Sequence, residues 1–399
     1  MQAATSPRRS RSRAADPTVT PRGATRPRKA GRRADPLWAR LMVIFGALLM
    51  MGSGGAIVGG KLLIGRYTST VDQQNLLGDA GGGATIDGAV NMLLVGLDER
   101  PGQNPNELVR SDTIVILHIP KTHDQAFLVS IPRDTRVAIP AYPKTGFVGE
   151  STKINGAFAF GHRGPGTSQE KRARGVELLA LTLRQLAGIK FTGAAIIDFQ
   201  GFEKILHELG GVYMCVERRS ESIHLAYDRN GAIKRVWYDD ARGVVRDIPP
   251  GGRVVVHEPG CRRMSPVLAL DYSRIRKDQP NGDYDRQRHQ QQLLKAIAKE
   301  AVSKGTLTDP RKLDRVVKAA GQAFTLDTQN IPIEDFVFTL KGVAANEMVL
   351  VKTNAGRVNT LPGTSDELLT QESMDMLAAV RDETLFQFLS AHPHFIAPG

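Results

Sequence analysis

From Leu41 to Gly60 no residue carries a charge, and Arg40 and Lys61 close the run. A helix rising ~1.5 Å per residue would span about 30 Å over that length, the hydrocarbon thickness of a bilayer. The reading that follows is one transmembrane helix over residues 37–62. A cleaved signal peptide and a buried core helix stay open as alternatives. The segment ahead of the run is long for a signal peptide, and no small-x-small cleavage pattern precedes Lys61. Six glycines lower the run's hydropathy, and Gly55 and Gly59 form a small-xxx-small pair through which two such helices would associate weakly.

Charge gives the anchor a direction. The net charge of +12 suggests nucleic acid, but residues 1–40 hold 11 Lys/Arg against 2 Asp/Glu, and the remainder holds 42 against 39. The basicity belongs to residues 1–36, an Arg-, Pro- and Ser-rich tail without hydrophobic periodicity, read as disordered. Basic residues on the N-terminal flank put that tail in the cytoplasm and everything after Lys61 outside, as a single-pass cell-membrane protein. No helix-turn-helix pattern occurs in the tail, so a nucleic-acid partner is not expected. The two cysteines, Cys215 and Cys261, fall on the outer side, where a disulfide is expected rather than two separate thiols.

Residues 63–88 are polar and Gly-rich and read as a flexible extracellular linker. Short β-branched runs follow at Asn91–Leu97, Thr113–Ile119, Phe127–Ile131, Ala194–Ile197 and Gly211–Val216, with a later candidate at Met348–Val351. Runs of this kind suit strands of a central sheet buried on both faces. Helical spacing appears at Glu170–Ala187, Gly201–Leu209, Pro266–Arg274 and Asp285–Lys304. Strands alternating with helices predict a three-layer α/β/α sandwich around a central mixed sheet, over residues 89–395. Its core would be 90–300 and its mostly helical extension 301–395. Glu217–Pro259 is charged, Gly/Pro-rich and aperiodic, and reads as an excursion fastened by the two cysteines, without an assigned role.

Charged residues gather just past strand ends, where open α/β sheets build their sites. Asp98 ends the first run, Arg110 and Asp112 precede the second, and Arg133 and Asp134 follow the third. Arg274 and Arg276, two apart, would face one way in an extended segment; Arg286 and Gln290, four apart, share a helix face. Meeting carboxylates suit Mg²⁺, and converging guanidiniums suit phosphate. Taken singly, each is more often a surface ion pair or a turn residue.

In combination, these residues make the chain similar to a known family. The ordered motifs are Leu94–Asp98, Arg110–Thr113, Ser130–Asp134, Lys153–Asn155, Asp198–Phe202, Leu209–Val212, Ala269–Arg276, and Asp283 through Arg286 to Gln290. Over about Val90 to Gln292 the chain resembles the LytR-CpsA-Psr proteins of Gram-positive envelopes, and its tail, anchor and cysteine pair resemble the actinobacterial members.

That resemblance implies a phosphotransferase moving a glycopolymer from a polyprenyl-pyrophosphate carrier to a peptidoglycan hydroxyl, leaving a phosphodiester. It implies Mg²⁺ (or Mn²⁺) on Asp98 and Asp112, and a pyrophosphate held by Arg110, Arg133, Arg274, Arg276, Arg286 and Gln290, with Asp98, Asp112 and Arg110 as catalytic residues. The base that takes the hydroxyl proton stays open between Asp112 and Asp134. The polyprenyl chain would lie in an apolar groove with Phe158, Phe160, Leu178, Leu181, Ile197 and Phe202 as lining candidates, each of which also reads as ordinary core. His289 stands where many relatives carry arginine, which would make pyrophosphate binding sensitive to pH. Three other readings are carried: a polyprenyl-pyrophosphate hydrolase using the same site, a non-catalytic envelope anchor, and a DNA-binding regulator suggested by the arginine tail. The membrane topology weighs against the last.

Overall fold

The runs at Asn91–Leu97 and Thr113–Ile119 lie side by side: β2 (Val90–Leu97) pairs antiparallel with β3 (Ser111–Ile119). In this computed structural model the described residues are 72–83, 87–97, 109–307, 309–329, 331 and 348–398. They belong to one compact unit within Gly60–Gly399. The charge-free run Leu41–Gly60 and Asp98 lie outside them. Among the described residues, no helix is long and apolar enough to cross a membrane.

Five more strands join this pair in the central sheet: β1 (Asp72–Gln73), β4 (Ala126–Ser130), β7 (Gly193–Asp198), β15 (Phe324–Asp327) and β16 (Met348–Lys352). The order across the sheet is β1-β15-β7-β2-β3-β4-β16. β7 runs parallel to β2, β16 parallel to β4 and β1 parallel to β15, while the remaining neighbours are antiparallel, so the sheet is mixed. Both faces are covered. Leu93, Val95, Ile114, Ile116 and Phe127 meet α1 (Asn155–Gly161) and α2 (Ser168–Ala187) through Phe158, Leu178, Leu179 and Leu183. Met92, Val115, Leu117 and Leu128 pack on the other side, toward Leu294 and Ala298. Burial on both faces is why these runs lack the polar alternation of a half-exposed strand.

The hairpin β5 (Arg136–Ile139) and β6 (Glu150–Lys153) stands apart from this sheet. A second apolar cluster joins α3 (Phe199–Leu209), β8 (Val212–Val216), α4 (Pro266–Arg274), α5 (Asp283–Ala301) and α7 (Pro310–Ala323), with the single turn α6 (Lys304–Leu307) before the last. β8 does not join the central sheet as its sequence suggests. Its burial alternates, and it pairs instead with β14 (Gly260–Met264), placing Cys215 opposite Cys261, which are disulfide-bonded.

The excursion between these cysteines is folded. β9 (Ser220–Tyr227) is flanked by β10 (Ile233–Arg235) and β13 (Arg253–His257), and β11 (Trp237–Asp239) pairs with β12 (Val244–Arg246). Apart from β9, these strands have three to five residues, too few for periodicity to register. What holds them is tertiary: Ser222 Oγ and His257 Nε2 lie 2.8 and 2.7 Å from the buried Asp271 carboxylate on α4.

The segment read as a flexible linker is partly docked, because the Leu76 and Leu77 amides both donate to Asp327 Oδ2 at 2.8 Å and both side chains are buried. The region read as a mostly helical extension also supplies two sheet strands, β15 and β16, before α8 (Gln371–Arg381) and α9 (Leu385–Ala391). Gln291 ties one of them in, donating to the Leu128 and Val351 carbonyls at 2.7 and 2.9 Å.

Candidate functional site

The site starts from an irregularity in the β2–β3 ladder. Gly96 pairs with Thr113 and Leu97 with Ser111, so Asp112 is an extra residue without a ladder partner. Such a bulge re-aims a side chain. Here it places Asp112 on the wall of a cavity of about 630 Å³. Gly96 is needed for the approach of the two strands, since a Cβ there would lie 2.7 Å from Thr113 Cβ. Thr113 Oγ1 in turn donates to Gln290 Oε1 at 2.9 Å.

Arg133, Arg274, Arg276, Arg286 and Gln290 all line this cavity with Asp112. Three elements bring them in: the turn after β4, the C-terminus of α4 with the extended Ile275 after it, and one face of α5. Arg110 is exposed just ahead of β3 and is not part of the lining. Asp134 is not in the lining either; it pairs with Lys153 at 2.9 Å.

Arg133 Nη1 donates to Asp112 Oδ1 at 2.8 Å, and Arg286 Nη2 donates to the Asp112 carbonyl at 3.0 Å. Arg286 also contacts Asp283 at 2.7 Å. Burial opposes the charge on Arg133, but Asp112, Asp283 and Asp134 outweigh it and raise its pKa. The Nε atoms of Arg133 and Arg286 are buried without a hydrogen-bond partner among the described residues. Six cationic side chains (Arg133, Arg235, Arg274, Arg276, Lys277, Arg286) line the cavity against four carboxylates. A net positive wall of guanidiniums suits an anion with several oxygens.

The opposite wall is the excursion, through Ile223, His224, Leu225 and Arg235–Tyr238, with Asp240 beyond. Trp237 is half exposed and its Nε1 donates to Asp247 Oδ2 at 2.8 Å, which fixes the indole. Lys277 pairs with Asp240 at 2.6 Å. His224 Nδ1 lies 3.2 Å from Asp271 Oδ1. Burial pushes the Asp271 carboxyl up, but hydrogen bonds from His224 and His257 outweigh it and hold the pKa below the usual value. Sequence reasoning assigned none of these residues. The one available signal was Asp271 itself, a carboxylate between Leu270 and Tyr272 on a helix whose neighbours are buried.

A smaller apolar pocket meets the cavity at Gln290. It is lined by Leu94, Leu97, Val115, Ile197, Phe202, Leu293 and Leu294, and its volume is about 30 Å³. Ile197 and Phe202 are therefore placed at a groove. Phe158, Phe160, Leu178 and Leu181 are not: they pack with α1 and α2 on the other side of the sheet and are core.

For the metal, Asp112 offers one carboxylate at the cavity, already bonded to Arg133, and Asp98 lies outside the described residues. No group of three or more His, Cys, Asp or Glu able to hold a metal ion occurs among the described residues. One or two carboxylates, completed by water and phosphate, is the ordinary protein share of a Mg²⁺ site, so the residues present are compatible with it.

His289 does not reach the cavity. It is buried and stacked on Tyr272 at 4.1 Å, and burial lowers its pKa to about 3. The expected pH-sensitive contact to pyrophosphate therefore falls away. Buried His118 is likewise lowered, to about 4, by burial. Unfolding returns both imidazoles to about 6.5. Below that pH the unfolded state takes up protons that the folded state refuses, so stability falls from pH 6.5 toward the folded values. Between pH 6.5 and 5 the loss is up to about 2 kcal/mol for each group. Denaturant unfolding at the two pH values checks this, and His289→Gln should remove its share of the slope; an unchanged slope counts against the neutral buried imidazole.

Comparison with known proteins identifies the family and the fold. The family model described as the LytR_cpsA_psr family matches residues 65–379. The cell wall biosynthesis protein LcpA of Corynebacterium glutamicum is 26% identical over 359 residues, which cover 83% of this chain and 62% of that protein. The chain thus spans less than two thirds of that relative's length. A protein of Halalkalibacterium halodurans, polyisoprenyl-teichoic acid–peptidoglycan teichoic acid transferase TagU, is 26% identical over 274 residues, covering 68% of this chain and 72% of its own. Among solved structures, protein gbs0355 from Streptococcus agalactiae superposes with a TM-score of 0.54 at 18% identity, covering 74% of this chain and 88% of that one, which shows the shared fold. With motifs, fold and family match in agreement over most of its length, the chain belongs to the LytR_cpsA_psr family.

Proposed function

We propose that this protein is a phosphotransferase that moves a glycopolymer from a polyprenyl-pyrophosphate carrier to a hydroxyl of peptidoglycan, forming a phosphodiester. The observation that carries the reading is the junction at Gln290 of an arginine-lined cavity with an apolar pocket, a shape suited to a pyrophosphate joined to a lipid. The names of LcpA and TagU, a cell wall biosynthesis protein and a transferase acting between a polyisoprenyl-linked polymer and peptidoglycan, support it.

In this reading Arg133, Arg274, Arg276 and Arg286 hold the pyrophosphate and neutralise the charge that moves onto the departing phosphate. The acceptor oxygen forms a bond to the sugar-bearing phosphorus. The bond from that phosphorus to the bridging oxygen breaks, and polyprenyl phosphate leaves with the electron pair. His224, positioned by Asp271, takes the hydroxyl proton at Nε2; Asp112 Oδ1 is already occupied by Arg133 Nη1. Asp112 and Asp98 would hold Mg²⁺ or Mn²⁺, which when bound supplies further charge neutralisation. The apolar pocket takes the first carbons of the lipid. A helix over residues 37–62 would keep the site at the membrane where the carrier resides, with the catalytic domain outside the cell.

The test incubates the full-length protein with polyprenyl-pyrophosphate glycan and peptidoglycan, and follows the phosphodiester by mass spectrometry. Product is expected with Mg²⁺ and lost on chelation, with recovery on adding the metal back. Product formation indifferent to chelator removes the metal assignment. Release of glycan phosphate in place of the phosphodiester replaces transfer with hydrolysis.

A further inference from the structure

Helix α5 lines two cavities. While Arg286 and Gln290 look into the first cavity, Asp285 and Arg288, three residues apart, line a separate one of about 660 Å³. Its other wall is the end of β16 and the turn Thr353–Gly356 that follows. We propose that this second cavity is a binding site for an oxyanion, the phosphate or carboxylate of an anionic glycan, held by Arg288, Lys352 and Arg357 against the rigid turn. The site is independent of the transfer chemistry proposed above.

Its cations are only partly compensated. Arg288 meets Glu217 and Asp285 at 3.1 Å each, yet its Nε is buried without a hydrogen-bond partner among the described residues. Lys352 and Arg357 make no ion pair among the described residues. The remaining acids of the wall are engaged: Asp285 accepts from Asn281 as well as Arg288, and Glu372 lies 3.5 Å from His394. Burial lowers the pKa of Lys352, and Arg288 and Arg357 lower it further against Glu217 and Asp285. An amine held among guanidiniums gains most from an anion that all three can share.

The backbone beneath is strained and fixed. Asn354 and Ala355 have φ of 51° and 52°, and Gly356 follows at 74°. Left-handed backbone is disfavoured for a non-glycine residue, because its Cβ crowds the following carbonyl oxygen. The turn persists because Asn354 is tied down on three sides. Its amide donates to Ser373 Oγ at 2.7 Å, its Nδ2 to the Leu368 carbonyl at 2.8 Å, and its Oδ1 accepts from the Thr370 amide at 2.9 Å. The Lys352 stem lies across Gly356, where a Cβ would come within 2.8 Å of Lys352 Cδ. Strain of this kind collects at ligand clamps. Exposed Val358 and Ile396 add an apolar rim, and Asn281, Asn359 and Thr370 add hydrogen-bonding groups, a mixture that suits a sugar ring beside the anion.

The experiment reads Lys352 directly in the full-length protein. The rate of its acylation by an amine-reactive ester is followed by peptide mass spectrometry, with the protein's other lysines as internal controls. Inorganic phosphate and N-acetylmuramyl dipeptide are the two probes, each compared with chloride at equal ionic strength. A bound oxyanion should hold Lys352 protonated and cover the amine, slowing its acylation about tenfold when its pKa rises by about one. Arg357→Ala, at an exposed position, should lose the protection. Protection by phosphate alone assigns a phosphate-bearing polymer, by the dipeptide alone a carboxylate-bearing one, and by both the shared oxyanion chemistry. Lys352 acylated at the chloride rate with both probes, or protected equally in Arg357→Ala, overturns the proposal.

Discussion

Arg274→Ala and Arg276→Ala should each lower transfer by about 10²-fold or more, the effect of removing one fixed charge-stabilising donor from an active site. Both side chains line the cavity from a single short stretch. Arg274 closes α4, buried Ile275 is extended, and Arg276 follows on the same side. Arg276 is a cleaner probe than Arg133 or Arg286. Those two also hold the Asp112 side chain and the Asp112 carbonyl, so their loss disturbs the bulge as well as the anion. If the charge they neutralise grows as polyprenyl phosphate leaves, kcat falls; if they only hold the donor, KM rises with kcat unchanged. Thermal unfolding of Arg276→Ala should be nearly unaffected, since that side chain is partly exposed. Wild-type transfer rates in both variants would remove the phosphate clamp from the mechanism.

Breaking the Cys215–Cys261 bridge should have the next largest effect, on stability first and on transfer through it. The bond closes a sequence separation of 46 residues. Loop entropy assigns it about 4 kcal/mol, drawn from the freedom that the unfolded chain regains. The excursion between the cysteines is one wall of the cavity, so its loosening should also weaken donor binding. Cys215→Ser with Cys261→Ser, compared with wild type by denaturant unfolding and by transfer kinetics, reads both. An unchanged midpoint would mean that the β8–β14 ladder and the Ser222, His224 and His257 contacts to Asp271 suffice alone.

How much was legible beforehand differs between elements. β2, β3, β4 and β7 were readable because strands buried on both faces show as unbroken apolar runs. β8 has the same composition but alternates in burial, and composition cannot say which ladder a run will join. The excursion was misread as aperiodic because its polar strands are held by contacts to α4 rather than by a pattern of their own. His289 looked like a substrate contact by its place in a motif, yet it faces Tyr272 inside the core. One turn of helix separates it from Arg286, which does face the cavity.

Residue types and their local spacing were enough to establish the chemistry available: several arginines beside strand ends, aspartates near them, a cysteine pair and a charge-free run of membrane length. Type and local period are properties of neighbouring positions, and a chain displays them without folding. Which of those groups meet is a matter of tertiary structure alone. Arg133, Arg274, Arg276, Arg286 and Gln290 share a cavity and Arg110 stays outside it, Asp112 is turned inward by a bulge, and Lys352 and Arg357 gather with Arg288 at a second cavity. Like charges repel in an open chain. They converge only where burial of the surrounding core holds the backbone that carries them, and that core is assembled from strands and helices far apart in sequence.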